Sequence, residues 1–153
     1  MGFSVLGLVV SLAVILPNLL VLAYPPREGF PSARIPPILS GVERAGQALC
    51  VVVPVITAPG TVYGWWAIPV LVGLVAYYLL WARYLISGRP VTTLYGPFWG
   101  VPVPMAIAPV IVFAATGLAL SNGWVVGSAV VLAAGHIPTS LIIARSLSAA
   151  RSG

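Results

Sequence analysis

The stretch Ser40-Gly41-Val42-Glu43-Arg44-Ala45-Gly46-Gln47-Ala48-Leu49-Cys50 leads directly into the apolar segment Val51–Ala58. It carries Glu43, one of only two acidic residues in a chain of 153. The segment that follows is apolar enough to enter a membrane. An ionisable side chain is costly near hydrocarbon and is therefore a candidate for a functional site. We take Glu43 as the first such candidate.

Composition places the chain among membrane proteins. Hydrophobic residues make up 60% of it and charged residues 6%, with a mean hydropathy of +1.10, whereas a soluble domain has about 25% charged residues. All basic residues are arginines, and they form no dense cluster, so no nucleic-acid partner is predicted. A single cysteine excludes an intrachain disulfide, and no spacing of metal ligands is present. Neither a metal nor a cofactor is predicted.

Five segments are long enough to cross a hydrocarbon core of about 30 Å, which requires roughly 20 apolar residues per helix. They are Gly2–Tyr24, Gly41–Ala58, Gly64–Ile86, Val103–Leu120 and Trp124–Leu147. The sequence therefore predicts an all-α fold, an integral membrane bundle of five transmembrane helices in one domain over residues 1–153. The proline-rich connection Pro25–Ser40 is expected to be extended. The connection Ser87–Pro102 is expected to lie in the interface or to fold back into the protein.

The arginines predict the orientation. All of them fall in or beside the first connection, the third connection or the C-terminal end: Arg27, Arg34, Arg44, Arg83, Arg89, Arg145 and Arg151. Five spans place this whole set on one side, which the positive-inside rule identifies as the cytoplasm. The N-terminus is then outside and the C-terminus cytoplasmic, in a bacterial inner membrane. Trp65 and Trp124 are expected at the outer interface, and Trp81 and Tyr84 at the inner one.

Every predicted span contains proline, namely Pro17, Pro54, Pro69, Pro104 with Pro109, and Pro138. An interior proline frees a carbonyl group and kinks its helix. Kinked helices would favour a cavity at the centre of the bundle. Proline is also simply more frequent in transmembrane helices than in soluble ones. Both interpretations remain open at this point.

Glu43 has two interpretations. Ser40-x-x-Glu43 matches a capping box, in which both side chains bond free amides at the start of a helix. Alternatively, Glu43 is a catalytic acid or base. Gln47, Cys50 and Pro54 follow it at i+4, i+7 and i+11, on the same helix face. Capping alone would not require Gln47 on that face.

His136 is the only histidine and lies near the middle of the fifth predicted span. A histidine at that depth must turn inward and find a partner. One interpretation is an interhelical hydrogen bond that only stabilises the bundle. The other is a proton carrier, since histidine titrates near neutral pH.

The candidate residues share one level of the bundle. The predicted helix directions place Asn18, Glu43, Gln47 and the stretch from His136 to Ser140 in the cytoplasmic half, with an arginine-rich rim below them. Glu43, His136 and Gln47 are the candidates for catalysis. The candidates for substrate binding are Asn18, Arg44, Arg83, Tyr84, Thr139, Ser140 and Arg145, with an arginine holding an anionic head group.

Five short motifs are spread over most of the chain: Leu16-Pro17-Asn18, Pro25-Pro26-Arg27, Glu43-Arg44-x-Gly46-Gln47-x-x-Cys50, Arg83-Tyr84 and Gly135-His136-Ile137-Pro138. In this pattern the chain resembles a group of uncharacterised small bacterial multi-pass membrane proteins. The resemblance implies no activity. It implies that the motif residues belong to one site.

Three functions are compatible with these features. The first is a membrane-embedded enzyme doing acid–base chemistry, of isomerisation or cyclisation type, on a lipid or isoprenoid-like substrate. The second is a non-catalytic partner subunit that packs small residues, such as Gly41 with Ala45 or Gly73, against another protein's helix. The third is a small transporter, which the scarcity of polar residues in the outer half disfavours. The expected partners are membrane lipids and a hydrophobic small molecule, or a helix-packing protein in the second case.

Overall fold

The computed structural model describes the backbone of residues 2–152 and the side chains of residues 2–150. In this part of the chain the all-α prediction is confirmed, and extended pairing is confined to a bridge between Phe98 and Val101. The helices are α1 (Val5–Ala23), α2 (Pro37–Ile56), α3 (Ala67–Ile86), α4 (Val91–Tyr95), α5 (Pro104–Ala119) and α6 (Gly123–Ser152). A 3₁₀ turn, Gly64–Trp66, leads into α3.

Four helical segments of the described chain are long and apolar enough to cross a membrane: Val5–Ala23, Pro37–Ile56, Gly64–Ile86 and Gly123–Ala150. They indicate a membrane protein, as composition predicts. α5 is apolar but has only 16 residues, a rise of about 24 Å against a hydrocarbon core of about 30 Å. It is central, because it packs against α1, α3 and α6 and buries most of its residues.

The start of α2 differs from the prediction. The helix begins at Pro37 with Pro36 as its N-cap, and no side chain bonds its free amides. Proline suits the first helical position because its missing N–H would have had no partner there. Ser40 lies inside the first turn, where its N–H donates to the Pro36 carbonyl at 3.1 Å. The capping-box interpretation of Ser40 and Glu43 is therefore wrong, and the carboxylate is free for another partner.

Prolines interrupt fewer helices than the sequence suggests. Pro17, Pro54, Pro109 and Pro138 lie inside α1, α2, α5 and α6. Pro69 falls in the first turn of α3, and Pro104 is the first residue of α5. Backbone N–H groups in the first turn have no partner within the helix, so proline at these positions removes no hydrogen bond. Pro69 therefore gives no reason for a kink in α3, whereas the other four membrane-length or apolar helices each contain an interior proline.

The helices α2 and α6 approach each other closely at two glycines. A Cβ atom added to Gly46 would lie 2.5 Å from Leu132 Cα, and one added to Gly135 would collide with the backbone of Glu43. Only glycine allows the two backbones to come this near. The contact sets the register of α2 on α6, and it places Glu43 beside the residue that follows Gly135.

Hydrogen bonds between connections tie the two ends of the bundle. At one end the Gly60 N–H donates to the Leu120 carbonyl at 2.8 Å. At the other end the Arg27 N–H donates to the Arg89 carbonyl at 3.2 Å, and the Tyr84 hydroxyl of α3 donates to the Tyr24 carbonyl at 2.8 Å. The connection after α1 thus lies beside the connection after α3, and the connection after α2 lies beside that after α5.

The connection after α3 folds onto the protein around α4. The Val91 N–H, at the start of α4, donates to Glu28 Oε2 at 3.0 Å. Val91 and Leu94 are buried. The second acidic residue of the chain therefore holds one connection against the other, and the prediction that this connection folds back into the protein agrees with the structure.

The inner aromatic residues are placed differently from the prediction. Trp81 is 5% exposed and Tyr84 is fully buried, whereas Trp124 at the opposite end is 78% exposed. Tyr77, Trp81 and Tyr84 recur at i, i+4 and i+7 on α3, so they line its inward face. Their rings meet edge to face, with centroids 6.4 Å and 5.7 Å apart. Trp81 and Tyr84 belong to the core and not to an interfacial belt.

We expect Gly46→Ala to destabilise the protein by about 1–3 kcal/mol, because its methyl group would force α2 away from α6. Gly41→Ala is the matched control on the same helix, since no atom lies within 4 Å of its Cβ position. That change should be neutral or stabilise by up to about 1 kcal/mol. Unfolding in detergent micelles, followed by circular dichroism, measures both. Equal effects of the two substitutions would contradict the close contact.

Candidate functional site

Glu43 and His136 are in direct contact. Glu43 Oε1 lies 2.7 Å from His136 Nδ1, and the two side chains are 17% and 25% exposed. The short distance follows from the glycine contact between α2 and α6, which brings the two helix backbones together at Gly135. The sequence places both residues at one level, and the structure makes them partners.

The contact determines how the imidazole ring can act. An ionised carboxylate only accepts hydrogen bonds, so opposite ionised Glu43 the Nδ1 atom of His136 carries a proton. In the neutral ring the lone pair is then on Nε2. A carboxylate in this position fixes the orientation and tautomer of the ring, and it stabilises the ring when it becomes protonated. The pair thus provides a proton acceptor whose second nitrogen is free to meet a ligand.

A cavity of about 330 Å³ lies beside His136, with walls from α1, α2, α3, α5 and α6. Its polar lining is Asn18, Gln47, Cys50, Tyr77 and His136. Its apolar lining is Val14, Ile15, Val21, Val51, Pro109, Phe113 and Leu132. A site of this kind suits a hydrophobic molecule with one polar group.

The cavity lies between α1 and α2. The two helices touch where Gly7 meets Pro54, and the Ser11 hydroxyl donates to the Cys50 carbonyl at 3.3 Å. Further along α1, towards Asn18, the cavity lies between the two helices where a direct contact would otherwise be. Asn18 from α1 and Gln47 from α2 are both exposed there, so the cavity opens sideways between the two helices.

Asn18 is held in place by Tyr77. The Tyr77 hydroxyl donates to Asn18 Oδ1 at 2.8 Å, and Asn18 Nδ2 donates to the Val14 carbonyl at 3.0 Å. Tyr77 is 2% exposed, which makes this an interhelical brace from α1 to α3. The brace gives the cavity a rigid wall opposite α2.

A second, smaller cavity of about 150 Å³ adjoins the first. The two share Asn18, Val21, Tyr77 and His136 in their walls. The smaller one adds Phe30, Trp81, Leu94, Tyr95, Met105, Ala106 and Ser140. Burial raises the pKa of the Tyr95 phenol, and the negative charge of Glu43 raises that pKa further. His136 lines both of these adjoining cavities.

Some of the other site residues predicted from the sequence line these cavities, and the rest do not. Gln47 lines the larger cavity and Ser140 the smaller, and Asn18 lines both. Thr139 is buried but lines neither of them. Tyr84 uses its hydroxyl for the Tyr24 carbonyl, so it braces the connection.

The predicted arginines do not reach the cavities. Arg44 and Arg145 are exposed, and the Arg83 guanidinium lies 4.3 Å from the centre of the Phe98 ring. Neither cavity is lined by an arginine among the residues whose side chains are described. An anionic head group, as expected from the sequence, would find no cation beside His136.

Three residues of the site were not candidates from the sequence: Tyr77, Trp81 and Tyr95. Tyr77 and Trp81 carried a detectable signal, because they repeat at helical spacing on an otherwise apolar segment. Tyr95 carried none, since it joins the wall of the smaller cavity only through the fold of the connection after α3. Over residues 2–150 no group of three or more His, Cys, Asp or Glu side chains could hold a metal ion.

Comparison with known proteins assigns no relative, since no protein-family model, curated protein or solved structure matches the chain.

A double-mutant cycle measures the contact between Glu43 and His136. We expect Glu43→Ala and His136→Ala to be coupled by about 1–3 kcal/mol in the free energy of unfolding, because each change leaves the other group without its partner. Arg44→Ala combined with His136→Ala is the control, since Arg44 neighbours Glu43 in sequence but is exposed. That pair should be additive. Additivity of both pairs would show that the contact contributes nothing to stability.

Proposed function

We propose that this chain is a membrane-embedded enzyme that performs acid–base chemistry on a lipid or isoprenoid-like substrate. The observation that carries the proposal is the 2.7 Å contact between Glu43 and His136 beside a cavity of mixed polarity. The sequence favours Glu43 as the acid or base. The geometry favours a different division of roles, because His136 lines both cavities and Glu43 lines neither. His136 is the proton-transferring residue, and Glu43 is its positioning residue.

The chemistry requires only proton movement. His136 Nε2 removes a proton from one atom of the substrate, and the same nitrogen returns it to another. Glu43 holds the Nδ1–H throughout and stabilises the charged ring. The substrate is isomerised without net oxidation or reduction, so no co-reactant is required. A positioned acid–base residue contributes about 10²- to 10⁴-fold to the rate.

Access from the lipid phase supports a hydrophobic substrate. The larger cavity opens between α1 and α2, where Ile15 and Val51 contribute apolar lining. A molecule that partitions into the bilayer reaches this opening without crossing water. Membrane lipids and hydrophobic small molecules are therefore the expected partners.

The five-span topology belongs to the same proposal. One observation supports it. The connections after α1 and α3 meet at one end of the bundle, and those after α2 and α5 meet at the other. On this arrangement α5 runs from one end of the bundle to the other. α5 is shorter than a full span, but neighbouring helices cover most of its surface. Arg27 and Arg89 meet at one end, where the Arg27 N–H donates to the Arg89 carbonyl at 3.2 Å. The positive-inside rule makes that end cytoplasmic, in a bacterial inner membrane. The Arg151 side chain lies outside the described residues.

A non-catalytic partner subunit is the second candidate, on one observation. Gly41, Ala45 and Ala48 are exposed on one side of α2, and open space lies beside Gly41. Small residues in such a row let another protein's helix approach closely. Gly73 does not serve this purpose, because its Cβ position is filled by Val112 of α5.

Transport has less support. Two buried hydroxyls in the opposite half of the bundle bond to their own helix: that of Thr116 donates to the Val112 carbonyl at 2.7 Å, and that of Ser128 to the Trp124 carbonyl at 2.8 Å. Such groups are satisfied locally. They offer no continuous polar path to a solute.

Cysteine labelling tests the topology. In a Cys50→Ser background, Gly123→Cys should react with a membrane-impermeant maleimide on intact cells, and Ser32→Cys should react only after permeabilisation. Both positions are exposed, so accessibility depends on the side of the membrane alone. Labelling of Ser32→Cys on intact cells would reverse the proposed orientation, and equal labelling of both would exclude five spans.

Complementation of a deletion strain tests the catalytic roles, with growth or lipid composition as the readout. His136→Gln should lower activity by about 10²-fold or more at unchanged protein level, because the ring that transfers the proton is gone. Glu43→Gln should also lower it, because glutamine lacks the charge that stabilises the protonated ring.

Arg44→Gln is the matched control and should complement fully, since Arg44 is exposed and lines neither cavity. Full complementation by His136→Gln would end the enzyme proposal. It would leave the partner subunit as the better interpretation.

A further inference from the structure

Gln47 has a hydrogen-bonding capacity that the protein does not use. It lies near the middle of α2, a helix of 20 residues, and it lines the larger cavity. The residue is exposed there, and its side-chain amide forms no hydrogen bond within the described part of the chain. An amide at this depth in a membrane meets no bulk water, and leaving its polar groups without partners is costly. A ligand with a polar group removes that cost.

His136 offers a second unused group in the same cavity. Its Nδ1 contacts Glu43 Oε1 at 2.7 Å, and Glu43 lines neither cavity, so the far side of the ring is the part that can meet a ligand. Nε2 has no hydrogen-bond partner among the described residues and is not one of their buried polar atoms without a partner. This nitrogen is therefore accessible. With Nδ1 protonated, Nε2 of the neutral ring can only accept a hydrogen bond.

The two unused groups lie near each other. Glu43 and Gln47 are one helical turn apart on the same face of α2, where side chains at this spacing are neighbours. The ring of His136 is in contact with Glu43, so Gln47 and His136 line adjacent parts of the wall. On the opposite wall the Asn18 oxygen accepts from the Tyr77 hydroxyl at 2.8 Å, which fixes that side. One polar group of a ligand can bond to both Gln47 and His136.

These partners determine the kind of group that fits. No arginine of the described side chains lines the cavity, so a phosphate would lose its hydration near the Glu43 carboxylate without gaining a cation. A ketone or ester oxygen only accepts, and it would leave Nε2 of His136 without a donor. A hydroxyl group both donates and accepts. It satisfies the imidazole nitrogen and the Gln47 amide together.

We propose that the larger cavity binds a neutral hydroxyl group of the substrate, which donates to His136 Nε2 and accepts from the Gln47 amide N–H. The hydrocarbon tail lies against the apolar lining and leaves between α1 and α2. The substrate class is then an uncharged alcohol with a long apolar tail, of isoprenoid or diacylglycerol type. This inference rests on the proposed function and narrows it. It differs from the expectation of an arginine-bound anionic lipid.

Equilibrium binding to the full chain in phosphatidylcholine nanodiscs tests the inference, with empty nanodiscs as the blank. The probes are labelled farnesol and labelled dioctanoylglycerol, one for each source of the hydroxyl, the O-methyl ether of each, and farnesyl phosphate. At least one alcohol should bind saturably, which identifies the source. Its methyl ether should bind about 3- to 10-fold more weakly, because an ether accepts a hydrogen bond but cannot donate one. Farnesyl phosphate should bind about 10-fold more weakly than that alcohol, or less.

Two variants assign the two hydrogen bonds. Gln47→Leu should weaken alcohol binding about 3- to 10-fold, because leucine has a similar size but no N–H to donate. His136→Phe should abolish the preference for the alcohol over its ether, because the phenyl ring has no acceptor nitrogen. Val52→Ala is the matched control on the same helix, since Val52 is 49% exposed and lines neither cavity. It should change nothing.

Equal binding of alcohol and ether would overturn the inference, and so would unchanged alcohol binding by Gln47→Leu or the absence of saturable binding by either alcohol. If His136→Phe does not fold, the comparison of alcohol with ether on the unsubstituted chain decides the same point. The two proposals fail separately. Gln47-dependent alcohol binding with an active His136→Gln would refute only the enzyme, and an inactive His136→Gln without alcohol binding would refute only the hydroxyl site.

Discussion

The contact of α2 with α6 at Gly46 and Gly135 is the constraint on which the site depends. Lipid tails are as apolar as the helix surfaces, so helices in a membrane are held together by close packing and by hydrogen bonds between them. At these two glycines the backbones meet with no side chain between them. The register that results puts Glu43 against the turn of α6 that carries His136. A longer side chain at either glycine would separate the carboxylate from the ring.

Polar side chains in this bundle form two kinds of hydrogen bond. Some hydroxyls, such as those of Thr116 and Ser128, donate to carbonyls of their own helix. Others bond between helices: Ser11 donates to the Cys50 carbonyl in one half, and Tyr77 bonds Asn18 and Glu43 bonds His136 in the other. Asn18, Tyr77 and His136 take part in these interhelical bonds and also line the larger cavity. The same groups that brace the bundle therefore line the space beside the imidazole.

The wrong predictions assigned a role to a residue from its local sequence, although that role depends on the tertiary surroundings. Ser40-x-x-Glu43 has the spacing of a capping box, but Pro36 and Pro37 start the helix earlier, and the pattern falls inside it. Trp81 lies near the end of a span, where aromatic residues commonly meet lipid head groups, yet it is buried in the core between Tyr77 and Tyr84. Arg83 was expected to hold a head group and instead lies over Phe98. Depth along a helix follows from sequence position, whereas the direction a residue faces depends on which helices surround it.

The sequence by itself determined the helical class, the apolar character of the chain, the approximate segments and the level shared by Asn18, Glu43, Gln47 and His136. These follow from composition and from spacing along one helix, which are local properties. Only the tertiary structure decided that Glu43 meets His136, that Tyr77 and Trp81 join them, and that the arginines stay away. Those facts depend on the rotation of each helix about its axis and on the distance between helices. Both the rotation and the distance are set by contacts between residues far apart in the chain, such as Gly46 with Leu132. A local sequence pattern cannot predict such contacts.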